Sequence, residues 1–327
     1  MNIKVFRSLA EIPASFGPTV IAIGNFDGVH RGHQAIIGNV RERAQALHAK
    51  SVALTFDPHP VRLLRPEQSP RLITPMPQRL DLLAATGLNA AVVVPFTEEF
   101  SRLSARDFAA QVLAQNLHAV EVHEGDNFRF GHNASAGTVE LIALGRELGF
   151  SVEAHTAIAV RGCAVSSSEI RSRVAAGDMS TSRALLGRAF SIHSTQARGR
   201  GIGSRLTVPT INLAPYDELL PADGVYVTRL HVGGAEGGQV FDGVTNAGTR
   251  PTFGEPSYAI ETYLLNFREI ELTPETPLEL CFLKRLRGEK KFDSPEALKA
   301  QIMKDVGRAQ RYLRLAAIWE AGSLLKR

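Results

Sequence analysis

Ten consecutive residues, Gly24-Asn-Phe-Asp-Gly-Val-His-Arg-Gly-His33, set two imidazoles three positions apart in a glycine-bearing turn. Gly28 and Gly32 let backbone approach a ligand closely. A turn that runs from a strand into a helix also presents unpaired N–H groups at the positive end of the helix dipole, so anions belong there. Protonated His30 and His33 could stabilise charge developing on the α-phosphate of a nucleotide and on the pyrophosphate that leaves it, with no covalent intermediate. A tight turn with two surface histidines is the plainer reading of a glycine pair alone, since short motifs misfire often.

Three later segments of this half carry side chains of similar interest. Thr55-Phe56-Asp57-Pro58-His59-Pro60 closes a β-branched run at the carboxyl edge, where open α/β sheets bind ligands, although Asp-Pro-His-Pro also makes a rigid turn. Gly125-Asp126-Asn127-Phe128-Arg129-Phe130-Gly131 places aromatic rings in a loop, where they are either packed into the core or used. Val165-Ser166-Ser167-Ser168-Glu169-Ile170-Arg171 offers hydroxyls and amides at a helix start with a guanidinium close by. That is a second anion clamp or an ordinary N-cap.

A second glycine-rich loop reads GRGIGSRLTVPTIN from Gly199 to Asn212 and lacks the ending of a Walker P-loop. Gly199 and Gly203 can bring backbone amides to phosphate oxygens, while Thr210 and Asn212 offer the hard oxygen ligands that Mg²⁺ prefers. A plain Gly/Arg linker entering an edge strand accounts for the glycines too. Downstream, Glu261 stands among apolar and neutral neighbours in Ile260-Glu261-Thr262-Tyr263. A strand carboxylate there faces solvent, is paired, or is used, and this one could accept the proton of an attacking hydroxyl. Leu286-Arg287-Gly-Glu289-Lys-Lys-Phe292 is charged, and its plain reading is a solvated loop.

Elements must position these groups. Up to about residue 155, the runs Val20 to Ile23, Val52 to Phe56, Ala90 to Val94, Ala119 to Val122 and Phe150 to Ala154 alternate with helical patterns, the rhythm of a parallel α/β sheet. Ile36, Val40, Ala44 and Leu47 recur at helical spacing, which predicts an amphipathic crossover helix over 33–48. Ser104 can cap a second helix that carries Phe108, Val112 and Leu113 to the core. Past Leu186-Gly187-Arg188 the texture changes to glycine-bounded strands, Val225 to Val232, Gln239 to Val244, Tyr258 to Phe267 and Leu278 to Leu286, predicting an antiparallel barrel or sandwich. Ser294 and Pro295 open a last helix with an apolar stripe through Leu298, Ile302 and Val306. The expected division is 1–184 and 185–327.

With 327 residues, 44% hydrophobic and 21% charged, the chain has the composition of an ordinary soluble protein of two domains. A formal charge of +4 suits anionic ligands, but no Lys/Arg block is long enough for a nucleic-acid arm. Cys163 and Cys281 lie far apart without zinc-type spacing, which points to a reducing cytosol. No signal-peptide core and no stretch of about 18 apolar residues is present, so no membrane association is expected.

In order and detail these segments resemble the motifs of a known family. Gly24 to His33 is similar to the GxFDGxHxGH signature of flavin adenylyltransferases, relatives of the HxGH nucleotidyltransferases and class I aminoacyl-tRNA synthetases. The Gly125–Gly131 stretch resembles that family's flavin-site loop, and Val165 to Arg171 its "ISSTxIR" stretch with Ser in place of Thr. Gly199 to Asn212 resembles the riboflavin kinase signature, departing from its common form at Thr207, where Gly usually stands, and at Ile211, where Ala is common. Gly243 to Phe253, Ile260 to Tyr263 and Leu286 to Phe292 match further kinase segments. The two sets follow the order of bifunctional bacterial riboflavin kinase/FAD synthetase enzymes.

That resemblance implies an N-terminal Rossmann-like HxGH nucleotidyltransferase domain and a C-terminal antiparallel β-barrel riboflavin kinase domain with a terminal helix. Riboflavin would be phosphorylated by ATP to FMN, and FMN then adenylylated to FAD with loss of pyrophosphate. ATP would be bound by Gly24, Phe26, Asp27, Gly28, His30, His33, Ser167, Ser168 and Arg171 in the first domain, and by Gly199, Gly203, Thr210 and Asn212 in the second. Flavin would meet Phe56, Asn127, Phe128 and Arg287, and Mg²⁺ would sit on Thr210 and Asn212. Catalysis would rest on His30 and His33 for adenylyl transfer and on Glu261 as general base. Partners would be small molecules only, in a cytoplasmic monomer or transient homo-oligomer. Two rivals are an HxGH enzyme or synthetase relative with another acceptor, for which a KMSKS-like segment is missing, and a non-catalytic flavin-binding regulator, which would not need all five catalytic and metal-type residues.

Overall fold

A computed structural model describes residues 3–197, 210–233, 238–250, 257–268 and 272–324. The chain forms two compact units, Met1–Glu169 and Ile170–Arg327. In the first, six strands pair in parallel: β1 (Lys4–Phe6), β2 (Thr19–Ile23), β3 (Lys50–Asp57), β4 (Ala90–Pro95), β5 (Ala119–Gly125) and β6 (Ser151–His155). Helices cover both faces, so β2 and β4 read as continuous apolar runs instead of alternating ones. On one face Ile21, Ile23, Leu54 and Val92 pack with Phe108, Val112 and Leu113, and Ser104 caps that helix by accepting the Asp107 N–H at 3.0 Å. On the other, Val20, Ala22, Ala53 and Ala91 meet Ile37, Val40 and Ala44 of helix α1 (Arg31–Ala46). The crossover helix is the one expected, except that Leu47 falls at its end, 40% exposed, and Ile37 takes its place in the buried stripe.

Strand order is β1-β4-β3-β2-β5-β6. From β2 the chain winds outward through β3 to β4, then returns to lay β5 on the other side of β2. A topological switch point therefore lies between β2 and β5, and the carboxyl ends of those two strands border the crevice where open α/β sheets take ligands.

In the second unit, two helices, α2 (Ser167–Ala175, which spans the division) and α3 (Met179–Leu186), precede the strands. The change of sequence texture near residue 185 comes after them. They belong with the second unit because α3 packs on the strands described next and buries Met179, Leu185 and Leu186. Six antiparallel strands follow: β7 (Phe190–Ser194), β8 (Thr210–Asn212), β9 (Gly224–Val232), β10 (Gln239–Arg250), β11 (Ser257–Leu264) and β12 (Leu278–Arg287), in the order β8-β11-β10-β9-β12-β7. The edges meet: Ala197 N–H donates to Asn212 O at 2.8 Å and Ala214 N–H to Thr195 O at 2.9 Å. Those bonds close the sheet into a barrel and remove the edges that would otherwise pair with other chains. A hydroxyl row, Thr228–Thr245–Thr262 at 2.7 and 2.8 Å, satisfies buried oxygens across three strands.

The last helix, α4 (Pro295–Leu324), is capped by Ser294, whose Oγ accepts the Ala297 N–H at 3.1 Å. Its expected stripe is corrected: Val306 is buried with Ala309 and Leu313 against Val225, Val227 and Val244, but Leu298 and Ile302 are 42% and 40% exposed. Helical spacing shows which residues share a face. Only the point at which the helix reaches the barrel decides which of them are covered.

Candidate active site

Where β2 ends, Gly24 N–H bonds to Leu54 O at 3.1 Å, and the chain then coils through positive φ at Phe26 (48°), Gly28 (84°) and Val29 (36°). Glycine takes such a value freely; Phe26 and Val29 are held there by burial, each 1% exposed. His30 caps α1, its Nδ1 accepting the His33 N–H at 3.3 Å. The two imidazoles stack with centroids 3.6 Å apart, and the Phe26 ring meets His33 edge-on at 5.2 Å. Burial, then the neighbouring His30 and Arg79, hold the His33 pKa well below its ordinary value. His33 is thus a neutral imidazole in the unliganded protein, and it becomes the imidazolium expected from sequence only if an anion offsets those terms. Its Nδ1 and the Asn25 Oδ1 are buried polar atoms without a hydrogen-bond partner. Orphans of this kind need a reason, and a bound polar ligand at this turn supplies one.

Asp27 is 1% exposed and turned toward the protein. Its carboxylate accepts Ile73 N–H at 3.1 Å, Thr74 N–H at 3.0 Å and the Thr74 hydroxyl at 3.3 Å, and faces Arg79 at 3.8 Å. Thr74 Oγ1 in turn accepts Gly28 N–H at 2.9 Å, so Asp27 ties the shape of the turn to a neighbouring loop. Thr74 and Arg79 were not singled out from the sequence, because neither lies in a motif and only the folded chain brings them to Asp27.

The structure brings the serine segment to this turn. Ser167 Oγ donates to Asp27 O at 2.9 Å, and Ser166 Oγ accepts Glu169 N–H at 3.2 Å as the cap of α2. Ser168 is exposed and Arg171, half-buried, lies further along α2. The loop from Gly125 to Gly131 follows β5, beside β2 in the sheet, where Ala22 is in register with His123. Asn127 is exposed, and its Oδ1 would lie 3.3 Å from a Cβ added at Gly125. Phe128 is half-buried and stacks on Phe130 at 5.5 Å. Phe130 itself is in the core against Phe108, so one ring of the pair plugs the core and the other lies at the surface of it. Phe56 is 8% exposed and packs with Phe96 and Phe100.

In the barrel, Thr210 and Asn212 alternate along β8, so they share one face, and Asn212 is directly opposite Glu261 on β11. Glu261 is also in register with Asn246 on β10, giving a row Asn212–Glu261–Asn246 across three strands. Asn246 lies in the Gly243 to Phe253 segment that matches the kinase motifs, but the sequence did not single it out, and only the register sets it beside Glu261. A hydroxyl, an amide oxygen and a carboxylate form a hard-oxygen set suited to Mg²⁺, so Thr210 and Asn212 fit that ion chemically. Arg287 is engaged elsewhere: its Nε donates to the buried Asp305 of α4 at 2.9 Å, and its guanidinium lies 5.7 Å from the Phe292 ring centroid. Gly199, Gly203, Thr207 and residues 251–253 lie outside the described residues.

The two units thus carry separate candidate phosphate sites, the first at a helix-capping histidine turn and the second on paired strands bearing oxygen ligands, an arrangement that suits a phosphate-transferring enzyme. Among family models, FAD synthetase matches residues 12–169 and riboflavin kinase residues 186–313. The chain is 33% identical to a bifunctional riboflavin kinase/FMN adenylyltransferase of Pseudomonas fluorescens, over 94% of this chain and 97% of that one. It is 30% identical to the protein of the same description from Escherichia coli strain K12, over 96% and 98%. A solved structure described as a macrolide-efflux protein from Streptococcus pneumoniae shares the fold alone, with a TM-score of 0.82 at 24% identity over 94% of this chain and 98% of that one. The chain belongs to the bifunctional riboflavin kinase/FMN adenylyltransferase family. It is accordingly a transferase with an FAD synthetase domain and a riboflavin kinase domain. Among the described residues, no helix is long and apolar enough to cross a membrane.

Proposed function

We propose that the chain makes FAD from riboflavin in two ATP-dependent steps, the kinase step on residues 185–327 and the adenylyl step on residues 1–184. The observation that carries this reading is the strand order of the first unit, which sets the histidine turn and the Asn127 loop at the carboxyl ends of adjacent strands. In the barrel, Glu261 takes the proton of the riboflavin 5′-hydroxyl as its oxygen bonds to the γ-phosphorus of ATP and ADP departs. Thr210 and Asn212 would hold Mg²⁺, which would supply neutralisation of phosphate charge, and Gly199 and Gly203 would lend amides to the phosphates. Arg287 helps to close the flavin site through the loop it anchors on Asp305.

In the first unit an FMN phosphate oxygen attacks the ATP α-phosphorus and the bond to pyrophosphate breaks. The positive end of α1, together with His30 and His33, offsets the charge that develops, while Gly24 and Gly28 shape the turn with their own N–H groups bonded to Leu54 O and Thr74 Oγ1. Phe26 and Asp27 shape the turn, Ser167, Ser168 and Arg171 bind the triphosphate, and Phe56, Asn127 and Phe128 meet the flavin. The substrates are small molecules, and the enzyme works in the cytoplasm as a monomer or transient homo-oligomer.

Chromatography of a reaction with riboflavin, ATP and Mg²⁺ tests this: FMN appears first, then FAD. His30→Ala should stop FAD formation and spare FMN formation, whereas Glu261→Ala should do the reverse when FMN is supplied. Loss of both activities in either folded variant would overturn the assignment of separate sites.

A further inference from the structure

A cluster of charged and imidazole side chains lies on the α1 side of β5 and β6, and nothing in flavin phosphorylation or adenylylation calls for it. Arg43 of α1 donates from Nε and Nη2 to the two oxygens of Glu121 at 2.7 and 2.6 Å. Glu121, held as a carboxylate by that fork, accepts from His123 Nε2 at 2.9 Å. With Nε2 donating to Glu121, the neutral tautomer of His123 is the one whose Nδ1 carries the lone pair. That lone pair faces His155 Nε2 at 2.8 Å and the Glu153 carboxylate at 3.9 Å. His123 is fully buried, at 0% exposed, while the Glu153 side chain is 53% exposed and gives the cluster an opening to solvent. One atom each from His123, Glu153 and His155 lies within 4.8 Å of the others.

We infer that His123 Nδ1, His155 Nε2 and the Glu153 carboxylate form a binding site for a transition-metal dication of the zinc class, distinct from the oxygen-ligand site of the barrel. Two imidazoles and a carboxylate with a fourth position left to water is a donor set that suits Zn²⁺ and is poor for Mg²⁺. Nitrogens bound to one tetrahedral zinc at about 2.0–2.1 Å lie about 3.3 Å apart, so the two rings need to part by only about half an ångström. The supporting shell is already built. Glu121 orients His123 as carboxylates orient metal-bound histidines, and Arg43 orients Glu121. His155 has Asn39 Nδ2 on its Nδ1 at 3.4 Å. A half-turn of that amide lets its oxygen accept from Nδ1–H and leaves His155 Nε2 for the metal.

A plain hydrogen-bonded chain, Asn39–His155–His123–Glu121, is the competing account of the same distances. The consequences differ, because the His155 carbonyl accepts Asp126 N–H at 3.0 Å at the root of the Gly125–Gly131 loop. An ion here would tie that loop's root to α1.

The test uses the full chain, freed of metal by chelation and desalting, kept in excess Mg²⁺ and titrated with Co²⁺. We expect one Co²⁺ per chain with d–d bands of low coordination number and no thiolate charge-transfer band, displaced by Zn²⁺. His155→Ala should remove the bands, and Asn39→Leu should weaken binding by about 10–100-fold. No bands in the native protein, or bands that survive His155→Ala, would overturn the site. A thiolate charge-transfer band would overturn it as well, placing the ion at the His231, Glu279 and Cys281 group instead. If circular dichroism shows that His155→Ala does not fold, Glu153→Gln at its half-exposed position takes its place: at least tenfold weaker binding supports the site, and unchanged binding overturns it.

Discussion

Replacing Asp27 with alanine should cost the N-terminal unit about 4 kcal/mol, although the residue sits in a motif whose obvious reading is ligand contact. The magnitude comes from what the carboxylate holds. It accepts two backbone N–H groups and a hydroxyl and faces Arg79 at 3.8 Å, and neither side chain is more than 2% exposed. Each buried donor stripped of its acceptor costs about 1–3 kcal/mol, and breaking a buried charge pair from one side costs about 3–5 kcal/mol. The terms overlap, because water entering the space left by the carboxylate serves several donors at once, so the larger single figure sets the scale. For a unit of this size about 1 kcal/mol moves the midpoint by about 2–4 °C, which puts the expected drop near 8–16 °C. Thermal inactivation followed separately through FAD formation from FMN and through FMN formation from riboflavin is the assay. Adenylyl transfer should fail at the lower temperature while the kinase keeps its native midpoint, and Asp27→Asn, which retains one acceptor oxygen, should fall between. A midpoint for Asp27→Ala within about 2 °C of the native protein would refute the reasoning, since a pin of this kind cannot be removed for less than about 1 kcal/mol.

His33 gives a pH prediction. Its pKa is depressed in the folded protein, so the unfolded chain binds the extra proton first: this contribution to stability is full above 6.5 and is lost as the pH falls below it. ATP should reverse the shift, so calorimetry just below pH 6.5 in buffers of different ionisation enthalpy should show proton uptake on ATP binding. The uptake should vanish in His33→Asn, and its absence from the native protein would contradict the assignment of phosphate to this turn. In the last helix, Leu298→Ser and Ile302→Ser should change stability by no more than about 0.5 kcal/mol, whereas Leu313→Ala, in the packed part, should cost about 2–4 kcal/mol in denaturant unfolding.

Much of this was legible before folding was considered. The strands β2 to β6 announce themselves as β-branched or apolar runs, α1 by its spacing, and the Ser104 and Ser294 caps by side chains that serve one local purpose. Where legibility failed, the missing information was about partners. Leu298 and Val306 have the same spacing on α4, and only the barrel's position buries one and leaves the other in water. Asp27 reads as a ligand contact, but its neighbours Ile73, Thr74 and Arg79 lie more than forty residues away in sequence. The neutral state of His33 follows first from its burial and then from the neighbouring His30 and Arg79, and the spacing of the motif reveals neither the burial nor Arg79.

The turn from Gly24 to His33 and the barrel motif ending at Asn212 were determined by the sequence itself, because glycine, histidine and hydroxyl chemistry depends on residue type and on separations of a few positions. Placing the histidine turn beside the Asn127 loop, setting Asn212 opposite Glu261, and bringing Glu121, His123, Glu153 and His155 together with Asn39 and Arg43 were decided only by the tertiary structure. Strand order and register join residues far apart in the chain, and they are set by which apolar faces bury each other, a property of the whole fold that no local stretch contains.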